Sequence, residues 1–385
     1  MSDSNGKSIV LRLAAKTDVG RVRGHNEDNF IVADLGKKER GVDVFKADVK
    51  LDTAGSLIAV CDGMGGAAAG EVASQLAVDT LFQQMTDTAA VLSFDRDELA
   101  RRLVRSVENA GLQIFQQANS DRSRKGMGTT VTAASLLDDT LFLAQVGDSR
   151  GYLLRGDKLV QVTRDQSLVN QLIEAGQLTE EEAESFEHNN IILQALGTTD
   201  SVQVDLTYVD LRRGDVLLLC SDGLSGMVRN DDIRETLLKN PDPAEACRVL
   251  VDKANEAGGH DNVTAIVVTF LGEGLKERTD GEALKYSKYN LPEEDNLATK
   301  RVSLRAEPED TGSSSSISIL EVAPTPGVPS IRPSVRPVKT DAGEPPSYLD
   351  DPVDLPEVQI PPLATLAIIA GVALGLVGIA WVLAK

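Results

Sequence analysis

Short runs of β-branched and aliphatic residues recur through the first two thirds of the chain and predict β-strands. They cover residues 9–13, 56–61, 130–137, 140–146, 151–155, 202–209, 215–220 and 263–270. Several of these runs are separated by only a few polar residues, as at the Asp138-Asp139 turn. Strands that are joined directly by turns pair in antiparallel fashion.

Helical periodicity appears in separate pairs of segments. Apolar residues from Leu99 to Ile114 recur at intervals of three and four, which predicts an amphipathic helix, and residues 72–92 have a similar pattern. A second pair is predicted at 231–239 and 243–256, where Pro243 suits a first helical turn. Strands in runs and helices in pairs indicate an α+β fold with antiparallel sheets.

The composition of the chain changes after residue 272. Residues 273–362 contain 13 of the 15 prolines and no Phe or Trp. Such a segment buries too little apolar surface to offset the entropy of ordering it, so it is predicted to be a disordered linker. The folded domain is therefore predicted to span residues 1–272.

An uncharged apolar stretch at residues 363–384 predicts one transmembrane helix. At about 1.5 Å per residue it matches a hydrocarbon core of about 30 Å. Ala367, Gly371 and Gly375 have the spacing that permits a weak helix-mediated dimer, although chance explains it equally well in a helix rich in Gly and Ala. The N-terminus has no signal-peptide pattern. We therefore expect a single-pass C-terminal anchor in the inner membrane, with the folded domain in the cytoplasm.

Composition excludes several classes of function. The net charge of −20 disfavours nucleic-acid binding through a basic surface. The three cysteines form no CxxC pair, so a disulfide scaffold and a zinc ribbon are both excluded, and a reducing compartment is indicated.

Four aspartates lie beside the predicted strands. Asp62, Asp148 and Asp222 follow apolar runs, and Asp261 precedes one. If these strand ends converge, the carboxylates repel one another at a cost that bound cations would remove. Oxygen ligands with few nearby imidazoles favour Mg²⁺ or Mn²⁺ over zinc. A further segment with Arg23, Glu27 and Asp28 adds two carboxylates and a guanidinium suited to phosphate.

Six motifs together resemble the metal-dependent protein phosphatases, the type 2C serine/threonine family, and most closely its bacterial members. They are GRVRGHNEDNF, VCDGMGGAAAGEVAS, GMGTTVTAA, VGDSR, LCSDGL and GGHDNVTAIVV, within residues 8–271. The resemblance implies a four-layer α-β-β-α sandwich with two central antiparallel sheets. It implies that Asp62 bridges two Mn²⁺ or Mg²⁺ ions, that the Gly63 carbonyl binds one of them, and that Asp222 and Asp261 bind the other.

The resemblance also implies the remaining roles. Glu27 and Asp28 would hold metal-bound waters, Arg23 would bind the substrate phosphate, and Asp148 with Asp222 would hold a weaker third ion. A water bridging the two ions would attack phosphoserine or phosphothreonine directly, so Arg23 and Asp62 are the predicted catalytic residues. Residues 165–190 correspond to a variable flap beside the cleft.

The sequence departs from the family pattern at two positions. Met64 stands where some members have a histidine proposed as general acid, and Met64 cannot donate a proton. Bacterial relatives often have a histidine in the motif at the flap entry, where this sequence has Asp165-Gln166-Ser167, and no catalytic role is assigned there. Cys61 and Cys220 lie in apolar strands and are expected to be core residues rather than nucleophiles.

Three functions remain open from the sequence. The leading one is a membrane-tethered phosphatase for phosphorylated proteins, which opposes bacterial serine/threonine kinases and acts on their substrates. The second is a non-catalytic protein that binds phosphoproteins. The third is a phosphatase for a small regulatory protein, which has the same chemistry and a different partner.

Overall fold

The computed structural model describes residues 8–41, 47–50, 55–65, 69–87, 95–184, 186, 188, 190–279 and 281–292. Fourteen strands lie in this part of the chain: β1 Val10–Asp18, β2 Asp28–Asp34, β3 Glu39–Arg40, β4 Ala47–Lys50, β5 Ser56–Met64, β6 Gly128–Thr129, β7 Val131–Leu137, β8 Thr140–Val146, β9 Arg150–Arg155, β10 Lys158–Gln161, β11 Asp205–Asp210, β12 Val216–Cys220, β13 Val263–Leu271 and β14 Tyr286–Lys288.

The strands form two antiparallel sheets. Sheet 1 has the strand order β10-β9-β12-β13-β1-β4, and sheet 2 has the order β14-β11-β8-β7-β5-β2-β3, with the short β6 paired to β5. Two pairs of neighbours in sheet 2, β2–β3 and β7–β8, are joined by short turns, and at the β7–β8 turn Asp138 has a φ of 51°. Asp tolerates this left-handed backbone better than most residues, which suits a two-residue hairpin turn.

Seven helices lie in the described residues: α1 Ala69–Thr86, α2 Arg96–Ser120, α3 Leu168–Glu174, α4 Glu180–Glu184, α5 Asp222–Ser225, α6 Asn230–Lys239 and α7 Pro243–Glu256. Helices α1 and α2 pack on sheet 2, and α6 and α7 cover sheet 1. A third apolar core fills the space between the sheets and includes Leu13, Val60, Leu143, Leu219 and Ile266. These three cores confirm the predicted four-layer α-β-β-α sandwich.

Every strand and helix predicted within residues 1–272 coincides with an observed element, with shifts at the ends. The largest shifts are at α1, which ends at Thr86 rather than near 92, and at β1, which continues to Asp18 rather than ending at 13. Strand β2 was not predicted, because its sequence, DNFIVAD, mixes polar and apolar residues without clear alternation. The burial of β2 between β5 and β3 determines its conformation.

The folded domain extends past the predicted boundary at residue 272. Strand β14 pairs with β11 at the edge of sheet 2, and the backbone N–H of Tyr289 donates to the Leu206 carbonyl at 2.8 Å. The Tyr289 ring packs edge-on against Phe142 and Tyr208, with centroids 5.0 Å and 5.4 Å apart. Residues 281–292 are therefore part of the fold, which corrects the prediction that the linker begins at 273. Residues 273–362 lack Phe and Trp, but Tyr289 supplies the packing.

No helix in the described ranges is long and apolar enough to cross a membrane. The predicted anchor at 363–384, and the part of the predicted linker after residue 292, lie outside the described residues.

The role of the β14 segment can be tested by substitution. Tyr289→Ala removes the ring from the contact with Phe142 and Tyr208 and the hydroxyl from Asp97, so we expect the free energy of unfolding to fall by about 2 kcal/mol. Tyr286→Ala is the matched control, because this ring on the same strand is exposed and its loss should change stability by less than about 0.5 kcal/mol. Urea unfolding measures the free energy of unfolding of both variants. Equal effects would show that the segment does not pack as described.

Candidate functional site

The predicted carboxylates meet because neighbouring strands are antiparallel. In such a sheet the end of one strand lies beside the beginning of the next. Asp62 is near the end of β5 and pairs directly with Asp28, the first residue of β2. Sheet 2 therefore places these two carboxylates side by side.

Sheet 1 brings the other aspartates to the same end of the sandwich. Asp222 begins α5 immediately after β12, and Asp261 lies just before β13, whose first residues pair with the end of β12. Asp148 lies in the turn between β8 and β9, where the chain crosses from sheet 2 to sheet 1. The structure thus brings together five aspartates from five separate segments of the chain.

Burial and mutual repulsion raise the pKa of these carboxyls. Burial raises the pKa of Asp28 to about 7, and the charges of Asp222 and Asp261 add to this shift. Burial also raises the pKa of Asp148 to about 7, with contributions from Asp222 and Asp165. The two closest carboxyls, Asp62 and Asp222, are hydrogen-bonded to each other, and the pKa of each lies above its ordinary value, mainly through burial.

Three oxygens of the cluster are buried and have no hydrogen-bond partner in the structure: Asp28 Oδ1, Asp148 Oδ1 and Asp222 Oδ1. A buried polar atom without a partner is costly, and a divalent cation would satisfy it. The donors are hard oxygens, which fits Mg²⁺ or Mn²⁺. Among the described residues, no three acidic, His or Cys side chains already have the arrangement of a metal-ligand group. The hydrogen bond between Asp62 and Asp222 occupies oxygens that a cation would use.

Arg23, the predicted phosphate-binding residue, pairs with a predicted metal ligand. Its Nη2 donates to Asp261 Oδ2 at 2.8 Å, and both side chains are partly exposed. The Arg23 guanidinium therefore lies at the edge of the acidic cluster. A cation that neutralised Asp261 would release Arg23 for an anionic ligand.

Glu27 lies against the beginning of α1. The Gly70 backbone N–H donates to the Glu27 carboxylate, and the Gly63 N–H donates to the Glu27 carbonyl at 3.1 Å. A Cβ at Gly70 would lie 2.8 Å from Glu27 Cδ and 2.8 Å from the carbonyl carbon of Gly63. Only glycine permits this close approach, so Gly70 is a site residue that was not predicted. Its place in the GGAAAG run gave no separate signal.

Polar side chains next to the carboxylates were also missed from the sequence. Asp28 Oδ2 accepts hydrogen bonds from Ser221 Oγ and Thr264 Oγ1, both at 2.7 Å. Asn262 Oδ1 accepts from the Glu27 N–H at 2.7 Å, while its Nδ2 donates to the carbonyls of Val19 and His25. These contacts join residues more than 190 positions apart, so no local pattern indicates them.

The cysteines are not nucleophiles. Cys61, Cys220 and Cys247 are all buried, and burial raises the pKa of the Cys220 thiol to about 12. The pKa of Cys61 is also raised by burial, and nearby carboxylates raise it further. A thiol with a raised pKa carries little thiolate, which confirms the interpretation of these residues as core positions.

The second helix of the flap, α4, begins with a capping box. Thr179 Oγ1 accepts from the Glu182 N–H at 3.2 Å, and Glu182 Oε2 accepts from the Thr179 N–H at 2.9 Å. These bonds define the beginning of α4 and give the motif a structural role.

Comparison with known proteins gives consistent matches. The protein phosphatase 2C family profile matches residues 39–257. The serine/threonine phosphatase stp of Listeria innocua is 38% identical over 253 residues, which cover 66% of this chain and 93% of that protein.

Solved structures match the same region. The crystal structure of the Mycobacterium tuberculosis serine/threonine phosphatase PstP/Ppp is 37% identical, covers 70% of this chain and all of that one, and superposes with a TM-score of 0.57. A structure of the PstP catalytic domain in complex with two manganese ions is 37% identical, covers 68% of this chain and 99% of that one, and has a TM-score of 0.56.

Gly70→Ala should disturb the acidic cluster from outside it. The added methyl would push Glu27 and Gly63 apart, so we expect the affinity for Mn²⁺ to fall by at least about tenfold. Gly111→Ala in α2 is the matched control, because the nearest atom to its Cβ would be the flexible end of Leu196 at 3.3 Å and the other neighbours lie at 3.7 Å or more. Mn²⁺ titration followed by electron paramagnetic resonance gives both affinities. Unchanged Mn²⁺ affinity in Gly70→Ala would contradict this packing.

The raised pKa values predict how stability depends on pH. Asp28 and Asp148 have an ordinary pKa of 3.8 and a pKa of about 7 in the fold, so between these values the folded protein holds more protons than the unfolded chain. In EDTA the free energy of unfolding should therefore fall as the pH rises from 3.8 to about 7.

Mn²⁺ should reverse this trend, because the cation binds deprotonated carboxylates and stabilises the fold most where protons are fewest. The measurement is Tm at about pH 5 and about pH 8, with EDTA and with excess Mn²⁺. A Tm in EDTA that rises over this range would disprove the assigned pKa shifts.

Proposed function

Since the chain belongs to the protein phosphatase 2C family of serine/threonine phosphatases, we propose that it hydrolyses phosphoserine and phosphothreonine in proteins with divalent cations held by its acidic cluster. The phosphatase class follows from the family. The metal dependence in this chain, the roles of individual residues and the attachment to a membrane are the proposal.

One observation carries the metal dependence. Aspartates from both sheets converge in one partly buried cluster, and three of their oxygens are buried there without a hydrogen-bond partner. A cluster of uncompensated carboxylates serves no purpose in a protein that only binds phosphoproteins, because phosphate is itself an anion. The cluster suits a site in which cations neutralise both the carboxylates and the substrate.

We assign the ligands as the sequence analysis predicts. Asp62 would be shared by two ions, with the Gly63 carbonyl on one and Asp222 and Asp261 on the other. Asp148 with Asp222 would hold a third, weaker ion. When bound, the ions supply a nucleophile from water near neutral pH and neutralise charge on the transferring phosphoryl group.

Side chains of the protein would orient water and bind the substrate phosphate. Asp28 is held by Ser221 and Thr264 and would orient water beside the ions, and Glu27 would do the same from the beginning of α1. Arg23, released from Asp261, would bind two phosphate oxygens through its planar guanidinium. This contact orients the phosphate and stabilises charge on its equatorial oxygens.

The proposed tether rests on the sequence. The apolar residues 363–384 would anchor the protein in the inner membrane, and the Pro-rich segment before them would let the catalytic domain reach phosphoproteins at the cytoplasmic face. Proteins modified by serine/threonine kinases, and such kinases themselves, are the expected partners. Membrane fractionation with and without residues 363–384 tests the anchor.

Hydrolysis of para-nitrophenyl phosphate and of a phosphothreonine peptide tests the activity. We expect release of phosphate with Mn²⁺ or Mg²⁺ and none with EDTA. Asp222→Asn should lower kcat/KM at least about 100-fold, because loss of a direct ligand exceeds the 10- to 100-fold effect typical of outer-shell partners. Asp231→Asn is the matched control, since this aspartate is almost fully exposed on α6.

A folded protein that releases no phosphate with any divalent cation, yet binds the phosphopeptide, would support the non-catalytic alternative instead. Release that persists fully in EDTA would disprove the proposed metal dependence.

A further inference from the structure

Gln166, for which the sequence suggested no role, connects three segments beside the acidic cluster. Its side chain is nine-tenths buried. Gln166 Oε1 accepts from the Gly147 N–H at 3.0 Å, and Nε2 donates to Asp205 Oδ2 at 3.0 Å and to the Gln203 carbonyl at 3.2 Å. One amide therefore joins the β8–β9 turn to the beginning of β11.

The backbone of Gln166 makes two further connections. Its N–H donates to the Gly147 carbonyl at 2.8 Å, and its own carbonyl accepts from the Leu193 N–H at 2.7 Å. Gly147 is thus bound by Gln166 through both of its backbone groups. Leu193 follows the flap in sequence, so Gln166 also joins the two ends of the flap.

Gly147 has no freedom to shift independently. Its φ is +100°, and a Cβ there would lie 2.6 Å from Thr130 Cγ2, so the backbone is confined between Thr130 and Gln166. The next residue is Asp148. Asp148 Oδ1 has no hydrogen-bond partner in the structure, and the Asp148 carboxylate accepts a hydrogen bond from its own backbone, so the position of the chain beside Gly147 helps to set where this carboxylate lies.

A second contact supports the same connection. Arg150 donates to Asp165 Oδ2 through Nε at 2.8 Å and Nη2 at 2.7 Å. The residues on either side of Asp148 are therefore bound to the two consecutive residues 165 and 166 at the beginning of the flap.

We propose that Gln166 is a positioning residue that places Asp148 for the third, weaker cation and ties this placement to the flap. The inference rests on the proposed function. It assigns Gln166 no contact with substrate: all of its polar side-chain atoms are engaged in the contacts described, and an uncharged amide holds them equally well at any pH near neutrality.

The test is a double-mutant cycle in the full chain. Gln166→Leu keeps the approximate volume and removes every side-chain hydrogen bond. We expect it to weaken the lowest-affinity Mn²⁺ site about tenfold, measured by electron paramagnetic resonance, and to lower kcat by a similar factor with little change in KM for the phosphopeptide. Asp148→Asn should abolish that site. In the Asp148→Asn background, Gln166→Leu should have no further effect on kcat.

Two further comparisons separate positioning from folding. Gln113→Leu removes a side-chain hydrogen bond with Thr80 between α1 and α2, so it should leave Mn²⁺ binding and kcat unchanged. Gln166→Glu loses the donor to Asp205 and to the Gln203 carbonyl and adds repulsion. Gln166→Glu with Asp205→Asn restores the hydrogen bond between residues 166 and 205 with donor and acceptor exchanged, but not the one to Gln203. We expect the double variant to bind Mn²⁺ more tightly than Gln166→Glu alone, and this pair decides the question if Gln166→Leu does not fold.

The inference is overturned if Gln166→Leu leaves the weakest Mn²⁺ site intact, or if its effect on kcat multiplies with that of Asp148→Asn. Failure of the proposed function is distinguishable, because in that case the unsubstituted chain shows no metal-dependent hydrolysis.

Discussion

Repulsion between buried carboxylates is the constraint on which the rest of this structure depends. Asp28, Asp62, Asp148, Asp222 and Asp261 come from different connections, and none of them would approach the others without a stable scaffold. The three apolar layers of the sandwich supply the free energy that holds them together, since burial of apolar surface is the dominant favourable term in folding. The layer between the sheets matters most, because it fixes one half of the cluster against the other.

Much of the fold is predictable because its main strands are apolar over most of their length and its long helices have clear periodicity. The pattern failed where tertiary contacts determine the conformation. Strand β14 is the clearest case, because its three residues are exposed and polar or aromatic. They form a strand because they pair with the edge of β11 and because the next residue, Tyr289, packs against the rings beside it. Propensity carries little information for such a segment.

The residues of the functional site also divide into those that the sequence predicts and those that it does not. The aspartates were predictable, since a carboxylate at the end of an apolar run is unusual, and four of them in one chain indicate a shared purpose. Their supporting residues were not. Asn262 holds the loop that precedes β2, Gly70 allows α1 to approach Gly63, and Gln166 binds Gly147. Each of these residues acts through contacts that form only in the folded chain. The ion pair of Arg23 with Asp261 likewise joins residues far apart in sequence, so no local pattern predicts it.

The place where the chain leaves the folded domain has a mechanical consequence. β14 is the edge strand of sheet 2, four positions in strand order from β5, which corresponds to about 19 Å at a spacing of about 4.8 Å. Tension applied to the chain beyond Pro292 would load the contacts of Pro292 with Arg101 and of Tyr289 with Leu206 first, and then the three-residue pairing of β14. The hydrogen bonds of β14 would break at the edge of the sheet while β5 and β2 stayed in register. The force would therefore fall before it displaced the carboxylates on β5 and β2.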